Sequence, residues 1–210
     1  MDIAKVSNGT HDAKTRTDNG CQVSASTPYT VIMRYLIIDL EATCWEKGTR
    51  PGRQEIIEIG VAMLVSPADP PEDEFSAFVR PIDRPGLSDF CTQLTSITQA
   101  DVDRAEPFDK VFPRFIGWIG PQPFQWCSWG AYDLKQFRTD CRRHNIAFPE
   151  SFENHINLKK RFAEHMGLRP GGMREALRRL ELTLVGTHHR GIDDARNIAR
   201  IVQAKPELVA

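Results

Sequence analysis

Three segments rich in β-forming residues follow one another in the first half of the chain and limit how it can fold. A buried strand is predicted over residues 35–38, a second strand over Ile56–Val65, and a third over Phe75–Arg80. The links between these segments are short, whereas parallel neighbours need a crossover of roughly a dozen residues or more. The sequence therefore predicts that the three strands form an antiparallel meander.

The rest of the chain alternates between helical and strand-like patterns. A helix is predicted over Phe108–Ile119, with Pro113 either in its first turn or kinking it, and a strand over Phe124–Trp129. Further helices are predicted directly after that strand and over Leu158–Met166, Met173–Leu180 and Asp194–Gln203. Strands followed by alternating helices and strands indicate an α/β or α+β layered domain.

The composition fits one folded domain preceded by a polar segment. The chain has 210 residues, 40% of them hydrophobic, which is enough for a full core. Residues 1–32 are polar and lack a hydrophobic period, so we predict a disordered leader there and a folded domain over 33–210. Ordered sequence begins directly after Met33, which makes that residue a candidate for the biological start. No apolar run approaches the roughly 20 residues that span a bilayer, so no membrane association is expected.

Charge and cysteine content narrow the possible functions. The formal net charge is -1, so the molecule as a whole does not attract polyanions, and any contact with nucleic acid must be local. The five cysteines are odd in number and widely spread, and they match neither a disulfide framework nor a zinc site built on short cysteine pairs. A reducing, cytoplasmic location is therefore expected.

The first chemical motif is LIIDLEATCW, in which two acids end a predicted core strand. Asp39 and Glu41 are two positions apart, so their carboxylates project from the same face of the strand. Two neighbouring anions repel each other, and a hard divalent cation such as Mg²⁺ or Mn²⁺ would relieve that repulsion. From this pair alone, a second interpretation is equally open: the strand simply emerges at the surface and both acids point into water.

The second motif, WGAYDLKQF, places Asp133 directly after a strand and at the start of a helix. An acid in that position can simply bind free backbone N–H groups and offset the helix dipole. The aromatic residues Trp129 and Tyr132 flank it and offer surfaces on which a nucleobase can stack, although aromatic residues more often belong to the core.

The third motif, HHRGIDDARNIARIV, is the most informative stretch. Asp194 shares a helix face with Ile198 and Ile201, so its carboxylate leans toward the core, whereas Asp193 is predicted to cap the helix. His189 precedes Asp194 by five positions in a loop that contains a glycine. Histidine titrates near neutral pH and can accept a proton from an attacking water.

These motifs together suit phosphodiester hydrolysis assisted by two metal ions. Such ions lie about 3.5–4 Å apart, where they activate a water and stabilise the leaving oxygen. Four carboxylates neutralise two divalent ions, so the chain needs no general positive charge. The near-neutral composition is therefore compatible with a nuclease.

The motifs resemble those of the DEDDh branch of the 3′-to-5′ exonucleases, which carry Asp-x-Glu, then Asp, then His with four intervening residues before Asp. More narrowly, the chain resembles the Eri-type group with its KapD-like bacterial proteins, through DLEATCW, FCTQLTSITQADVDRAEPF and HRGIDDARNIARI. The resemblance covers roughly Tyr35 to Gln203. It implies an α/β fold of the RNase H-like type, in which helices flank a central mixed sheet.

The resemblance also implies roles for individual residues. Two Mg²⁺ (or Mn²⁺) ions would be held by Asp39, Glu41, Asp133 and Asp194. His189 would be the general base, because it has the family spacing to Asp194, although His188 beside it leaves an ambiguity of one residue. The positions that resemble the family's terminal-nucleotide pocket are Thr43, Trp45, Leu94, Trp129 and Tyr132.

The sequence thus predicts an exonuclease that hydrolyses phosphodiester bonds from the 3′ end of single-stranded RNA or DNA, with RNA favoured, and releases 5′-mononucleotides. No obligate protein partner is expected. Eukaryotic members of the Eri-type group carry an SAP-type module ahead of the nuclease, and residues 1–32 are too few and too polar to form one. Two alternatives are a catalytically dispensable RNA-binding adaptor of the same fold and a DNA-directed proofreading-type exonuclease. Basic residues that could guide a nucleic-acid backbone lie at 159–161, Arg174, Arg178, Arg179 and Arg190, although exposed arginines are commonly just solvated.

Overall fold

The structure is a computed structural model that describes residues 33–47 and 53–210. Within them a five-stranded mixed sheet has the order β3-β2-β1-β4-β5. The strands are β1 (Arg34–Ala42), β2 (Ile56–Leu64), β3 (Asp73–Phe78), β4 (Phe124–Ser128) and β5 (His155–Asn157). The predicted meander is confirmed, because β1, β2 and β3 pair antiparallel, while β4 and β5 join the sheet in parallel. The predicted leader over residues 1–32 lies outside the described residues.

Helices cover both faces of the sheet. They are α1 (Asp89–Thr95), α2 (Gln99–Arg104), α3 (Phe108–Ile119), α4 (Tyr132–Arg143), α5 (Leu158–Met166), α6 (Met173–Arg179) and α7 (Gly191–Ala204). Short 3-10 turns lie at Glu150–Phe152 and Pro206–Leu208. In the part of the chain that the structure describes, none of the helices is both long and apolar enough to cross a bilayer.

Alternate residues of β1 face two separate hydrophobic clusters. Leu36, Ile38 and Leu40 pack in the cluster that includes α3 and α4. Ile37 points the other way, into the cluster formed with α5, α6 and α7. Because side chains alternate along a strand, Asp39 lies on the same side as Ile37 and therefore faces the layer that contains α7.

Most predicted elements are present, and the differences have local causes. Helices α1 and α2 and the three-residue strand β5 were not predicted, because each is too short to show a hydrophobic period. The Thr98–Asp101 capping box was the signal available for α2. Pro113 lies in the second turn of α3, so the first of the two predicted alternatives, a place in the first turn, was wrong. The alternative of a kink at Pro113 stays a prediction, and α3 runs as one helix from Phe108 to Ile119.

The predicted start of α7 was wrong by a few residues. The helix begins at Gly191, and Asp193 is its third residue and not its cap. The Asp193 carboxylate accepts a hydrogen bond from the Thr187 backbone N–H at 2.8 Å and pairs with Arg196. Asp193 therefore fastens the preceding loop to the helix.

Candidate active site

The acids of the first motif lie at the end of β1, the central strand of the sheet. Asp39 pairs with Gly60 of β2 and Glu41 pairs with Glu58, and the register shifts between Glu41 and Ala42. Glu41 is only 8% exposed and Asp39 is partly buried, so neither acid points freely into water. Both carboxylates instead face the N-terminal end of α7.

Two glycines allow α7 to approach the sheet closely. A Cβ placed on Gly60 would lie 2.0 Å from the carbonyl carbon of Gly191, and one placed on Gly191 would lie 2.9 Å from the Asp39 carbonyl oxygen. These distances are far below van der Waals contact, so the helix can rest against β1 and β2 only where side chains are missing. The sequence signal, overlooked in our prediction, is a glycine inside the large aliphatic run of β2.

A buried carboxylate fixes the start of α7. Glu58 is fully buried and accepts hydrogen bonds from the Gly191 N–H at 2.9 Å and from the Arg190 Nε at 3.1 Å. The guanidinium of Arg190 also lies over the ring of Phe78, 5.0 Å from its centroid. Sequence reasoning missed Glu58, because a glutamate in a strand usually indicates a solvent-facing position.

Acids from β1 and α7 come together at this edge. Oxygen atoms of Asp39, Glu41 and Asp194 all lie within 4.8 Å of one another. Asp133 stands beside them at the second position of α4, where its Oδ1 accepts the Leu40 backbone N–H at 3.2 Å. All four acids line one cavity of about 640 Å³.

The electrostatics of this cluster favour a bound cation. Burial raises the pKa of Asp39 well above 3.8, and the neighbouring charges of Asp133 and Glu41 raise it further. Burial, followed by the charge of Asp194, raises the pKa of Glu41 to about 8. Burial also raises the pKa of Asp133, although a hydrogen bond from Ser128 opposes that effect. The nearby Arg190 is engaged by Glu58, so an oxygen-binding divalent cation is well suited to offset the crowded carboxylates.

Both histidines of the third motif reach the cavity. His188 Nδ1 lies 2.9 Å from Asp194 Oδ2, whereas His189 Nδ1 lies 3.9 Å from Glu41 Oε1. Their rings stack with centroids 3.9 Å apart. His189 has a left-handed backbone, with φ of 63°, and its N–H donates to Asp194 Oδ2 at 3.0 Å. Burial and the charge of His188 lower the pKa of His189, which favours its neutral, proton-accepting form.

The five residues expected to contact a nucleotide lie in three different places. Leu94, Trp129 and Tyr132 line the acidic cavity, and Tyr132 is 44% exposed. Trp45 lines a neighbouring cavity. Thr43 is buried, and its Oγ1 accepts the Glu55 N–H at 2.9 Å, so it fixes the end of β1.

Most of the basic residues that could guide a backbone have other partners. Arg161 donates to the carbonyl oxygens of Leu208 and Ala210. Arg178 and Arg179 both pair with Glu175. Arg174 is the member of this set that lines the acidic cavity, together with Gly172, Met173 and Glu175, which sequence reasoning had not selected.

The central strand of the mixed sheet ends in paired acids, and two flanking helices contribute further acids. This combination defines an RNase H-like exonuclease fold. Residues 36–202 match the family model described as exonuclease, so the chain belongs to this exonuclease family.

Relatives within the family carry exoribonuclease names. The chain is 36% identical over 189 residues to ERI1 exoribonuclease 2 of Danio rerio, covering 80% of this chain and 34% of the relative. It is 33% identical over 174 residues to 3′-5′ exoribonuclease 1 of Rattus norvegicus, covering 79% of this chain and 50% of the relative. The chain therefore spans only a third to a half of the length of these relatives.

Solved structures that resemble this chain are also nucleases. The nuclease domain of 3′hExo, a DEDDh family member bound to rAMP, has a TM-score of 0.79 and 32% identity, covering 85% of this chain and 94% of that one. Cell-death related nuclease 4 has a TM-score of 0.76 and 26% identity, covering 84% of this chain and 64% of that one. The predicted RNase H-like fold is confirmed by these matches.

Proposed function

We propose that this chain is a divalent-metal-dependent 3′-to-5′ exonuclease that shortens single-stranded nucleic acid, with RNA as the favoured substrate. The observation that carries this proposal is the convergence of Asp39, Glu41 and Asp194 within 4.8 Å, with Asp133 lining the same cavity. The relatives named as exoribonucleases and the rAMP-bound 3′hExo domain support the direction of attack and the preference for RNA. The folded unit is residues 33–210.

The four acids are the residues that would hold two Mg²⁺ or Mn²⁺ ions. Bound there, divalent ions supply electrostatic stabilisation of the phosphate and activation of a water. The protein's part is to fix the carboxylates in place, because the Leu40 N–H orients Asp133 while the Gly60–Gly191 contact positions α7 and hence Asp194. Asp39, Glu41 and Asp194 therefore need no large rearrangement to serve as ligands.

His189 is the residue that accepts the proton from the attacking water. Its lowered pKa keeps the ring neutral near pH 7, and 40% of its side chain is exposed to the cavity opening. The Nδ1 of His188 is engaged with Asp194, so His188 serves to orient that carboxylate. This division of roles follows from the different partners of two adjacent histidines.

Replacing each histidine in turn tests this assignment. His189→Asn retains a residue that tolerates a left-handed backbone, and it should lower kcat by about 10²–10⁴-fold because the proton acceptor is lost. His188→Asn is the matched control and should lower kcat by about 10–100-fold, the effect of losing a residue that orients a metal ligand. Steady-state kinetics would measure both effects. A larger loss in His188→Asn would reverse the two assignments.

The terminal nucleotide would lie against Leu94, Trp129 and Tyr132. Trp129 is held by its Nε1, which donates to the Gly171 carbonyl oxygen at 3.1 Å, so its ring is a fixed surface. Tyr132 is similarly held by its hydroxyl, which donates to Gln54 Oε1 at 3.1 Å. Stacking on such surfaces is tolerant of base identity, as trimming of varied 3′ ends requires.

The decisive experiment is digestion of matched 5′-labelled RNA and DNA oligonucleotides, single-stranded and duplex, with Mg²⁺, with Mn²⁺ and with EDTA. We expect that the oligonucleotides are shortened from the 3′ end, with release of 5′-mononucleotides, only when metal is present. Equal rates on RNA and DNA would favour the proofreading-type alternative. Binding of RNA without any shortening would favour the adaptor and overturn the enzyme assignment.

We also infer a cytoplasmic location. Among the described residues Cys44, Cys91, Cys127 and Cys141 are free thiols, three of them buried, which is compatible with a reducing compartment. Fractionation of cells followed by immunoblotting would test this inference.

A further inference from the structure

A second cavity opens beside the acidic one. Its volume is about 520 Å³, and it is lined by Cys44, Trp45, Arg53, Gln54, Gln136, Thr139 and Arg142. It shares Cys44 and Gln54 with the acidic cavity, so the two are adjacent. We refer to the second cavity as the arginine cavity.

The arginine cavity carries positive charge that the described protein does not neutralise. Within residues 33–47 and 53–210, neither Arg53 nor Arg142 forms an ion pair with a carboxylate; the Arg142 guanidinium donates to the hydroxyl of Thr139 at 3.4 Å. By contrast, Arg138 and Arg143 of the same helix pair with Glu153 and with Asp83 and Asp140. Two guanidinium groups at one cavity, neither paired with a carboxylate of the described residues, favour an anionic ligand.

Two further cavities, both lined by residues of α6, are less suited to an anion. Glu175 lines both of them, and its carboxylate binds the guanidinium groups of Arg178 and Arg179. Among the residues that the structure describes, the lining of the arginine cavity includes no acid. A polyanionic strand that leaves the acidic cavity would therefore be attracted toward Arg53 and Arg142.

Gln54 forms the wall between the two cavities and is fixed in position. Its side-chain Oε1 accepts the Tyr132 hydroxyl at 3.1 Å, and its carbonyl oxygen accepts Gln136 Nε2 at 2.9 Å. A base stacked on Tyr132 thus lies next to a rigid wall, beyond which Trp45 offers a second aromatic surface. The arrangement suits consecutive nucleotides of one strand.

We infer that the arginine cavity binds the nucleotides immediately 5′ of the terminal one, with Arg53 and Arg142 contacting their phosphates and Trp45 contacting a base. This inference rests on the proposed exonuclease function, which supplies the strand and its polarity. Arg53 and Arg142 are then positioning residues for longer substrates, because they touch no reacting atom.

The test compares wild type with the double variant Arg53→Gln/Arg142→Gln on two substrates. For a ten-nucleotide RNA the double variant should raise KM about tenfold with kcat unchanged, the effect of losing about two exposed ion pairs. For the p-nitrophenyl ester of uridine 5′-monophosphate, which presents one nucleotide only, both parameters should stay at the wild-type values. The matched control is Arg104→Gln, which removes an exposed charge from a cavity lined by Asp101 and Glu106. It should change neither KM nor kcat for either substrate.

A binding measurement keeps this inference separate from the proposed function. In the Asp39→Asn background, fluorescence anisotropy should show that the double variant lowers the slope of log K against log salt by about 1.4, because each lost cation contributes about 0.7 for a single strand. If the slope were unchanged while the wild-type protein hydrolysed RNA normally, the inference about the arginine cavity would be wrong and the exonuclease assignment would stand. If the slope were reduced while the wild-type protein did not hydrolyse RNA, the arginine cavity would be supported and the exonuclease assignment would be wrong.

The variant Arg174→Gln tests a different exit from the active site, past α6. Arg174 lines the acidic cavity together with its chain neighbour Glu175. If Arg174→Gln lowered the salt slope and the double variant did not, the strand would leave on that side and the inference would be wrong.

Discussion

Asp39→Asn is expected to reduce hydrolysis of single-stranded RNA by about a thousandfold or more while leaving the fold intact. The asparagine side chain has nearly the same shape but carries no negative charge, so the proposed metal site loses one of the three acids that lie within 4.8 Å of one another. Stabilisation of transition-state charge by bound metal is worth several kcal/mol, and each tenfold change in rate corresponds to about 1.4 kcal/mol. Single-turnover kinetics with labelled RNA would measure the loss.

The same variant should behave differently in a stability measurement without metal. The pKa of the Asp39 carboxyl is raised in the folded state, chiefly by burial, so ionisation of this group costs stability as the pH rises above the unfolded value near 3.8. Asparagine removes that cost, so metal-free Asp39→Asn should melt at a higher temperature than wild type at pH 8 and at about the same temperature near pH 4. Thermal unfolding at both pH values would check this.

A matched control is Asp103→Asn, which removes an exposed acid of α2 that bonds to Gln99. It should change neither the rate of hydrolysis nor the dependence of melting on pH beyond experimental error. If Asp39→Asn hydrolysed RNA as fast as this control, the acid cluster would not be the catalytic site.

Gly60→Ala is expected to destabilise the protein by about 3 kcal/mol or more, the upper end of the cost of overpacking. The added Cβ would lie 2.0 Å from the Gly191 carbonyl carbon and 2.1 Å from the Ile192 nitrogen, and both are backbone atoms that cannot rotate away. Helix α7 would have to move off the sheet and carry Asp194 with it. Urea denaturation should show the loss of stability, and activity should fall even at temperatures where the variant stays folded.

Gly117→Ala provides the comparison for the same chemical change. Gly117 lies inside α3, and a Cβ there would meet nothing within 4 Å. Alanine is favoured over glycine in a helix by about 1 kcal/mol, so this variant should be more stable than wild type by about that amount. Equal effects of the two substitutions would contradict the close packing of α7 on β2.

The elements that sequence reasoning predicted well are those with long, regular patterns. Helices α3 and α5 have the predicted bounds because their hydrophobic residues repeat with a helical period. Strand β2 ends one residue before the predicted end, and it was predicted from a continuous run of β-forming residues. The acids of the three motifs were also identifiable, since carboxylates at strand ends and helix starts are visible in the sequence. Their convergence depends on how distant segments pack, and only the structure describes it.

The sequence did not reveal the contacts that depend on a missing side chain or on a buried one. Gly60 acts through the Cβ that it lacks, and Glu58 is a buried acid whose partners lie more than a hundred positions away in the chain. The neighbouring arginine cavity combines residues from both sides of residues 48–52 with α4, so no single motif indicates it. These features arise from tertiary packing, which local patterns do not encode.

The order in which the acids occur along the chain has a consequence for biosynthesis. The ribosome makes β1 first, α4 later and α7 after both, so Asp194 is the last of the four acids to be made. Until α7 has emerged and packed against the glycine of β2, a nascent polypeptide holds an incomplete set of the four acids. Completion of the acid cluster is thus tied to completion of the domain, and a prematurely terminated product that lacks α7 cannot assemble it.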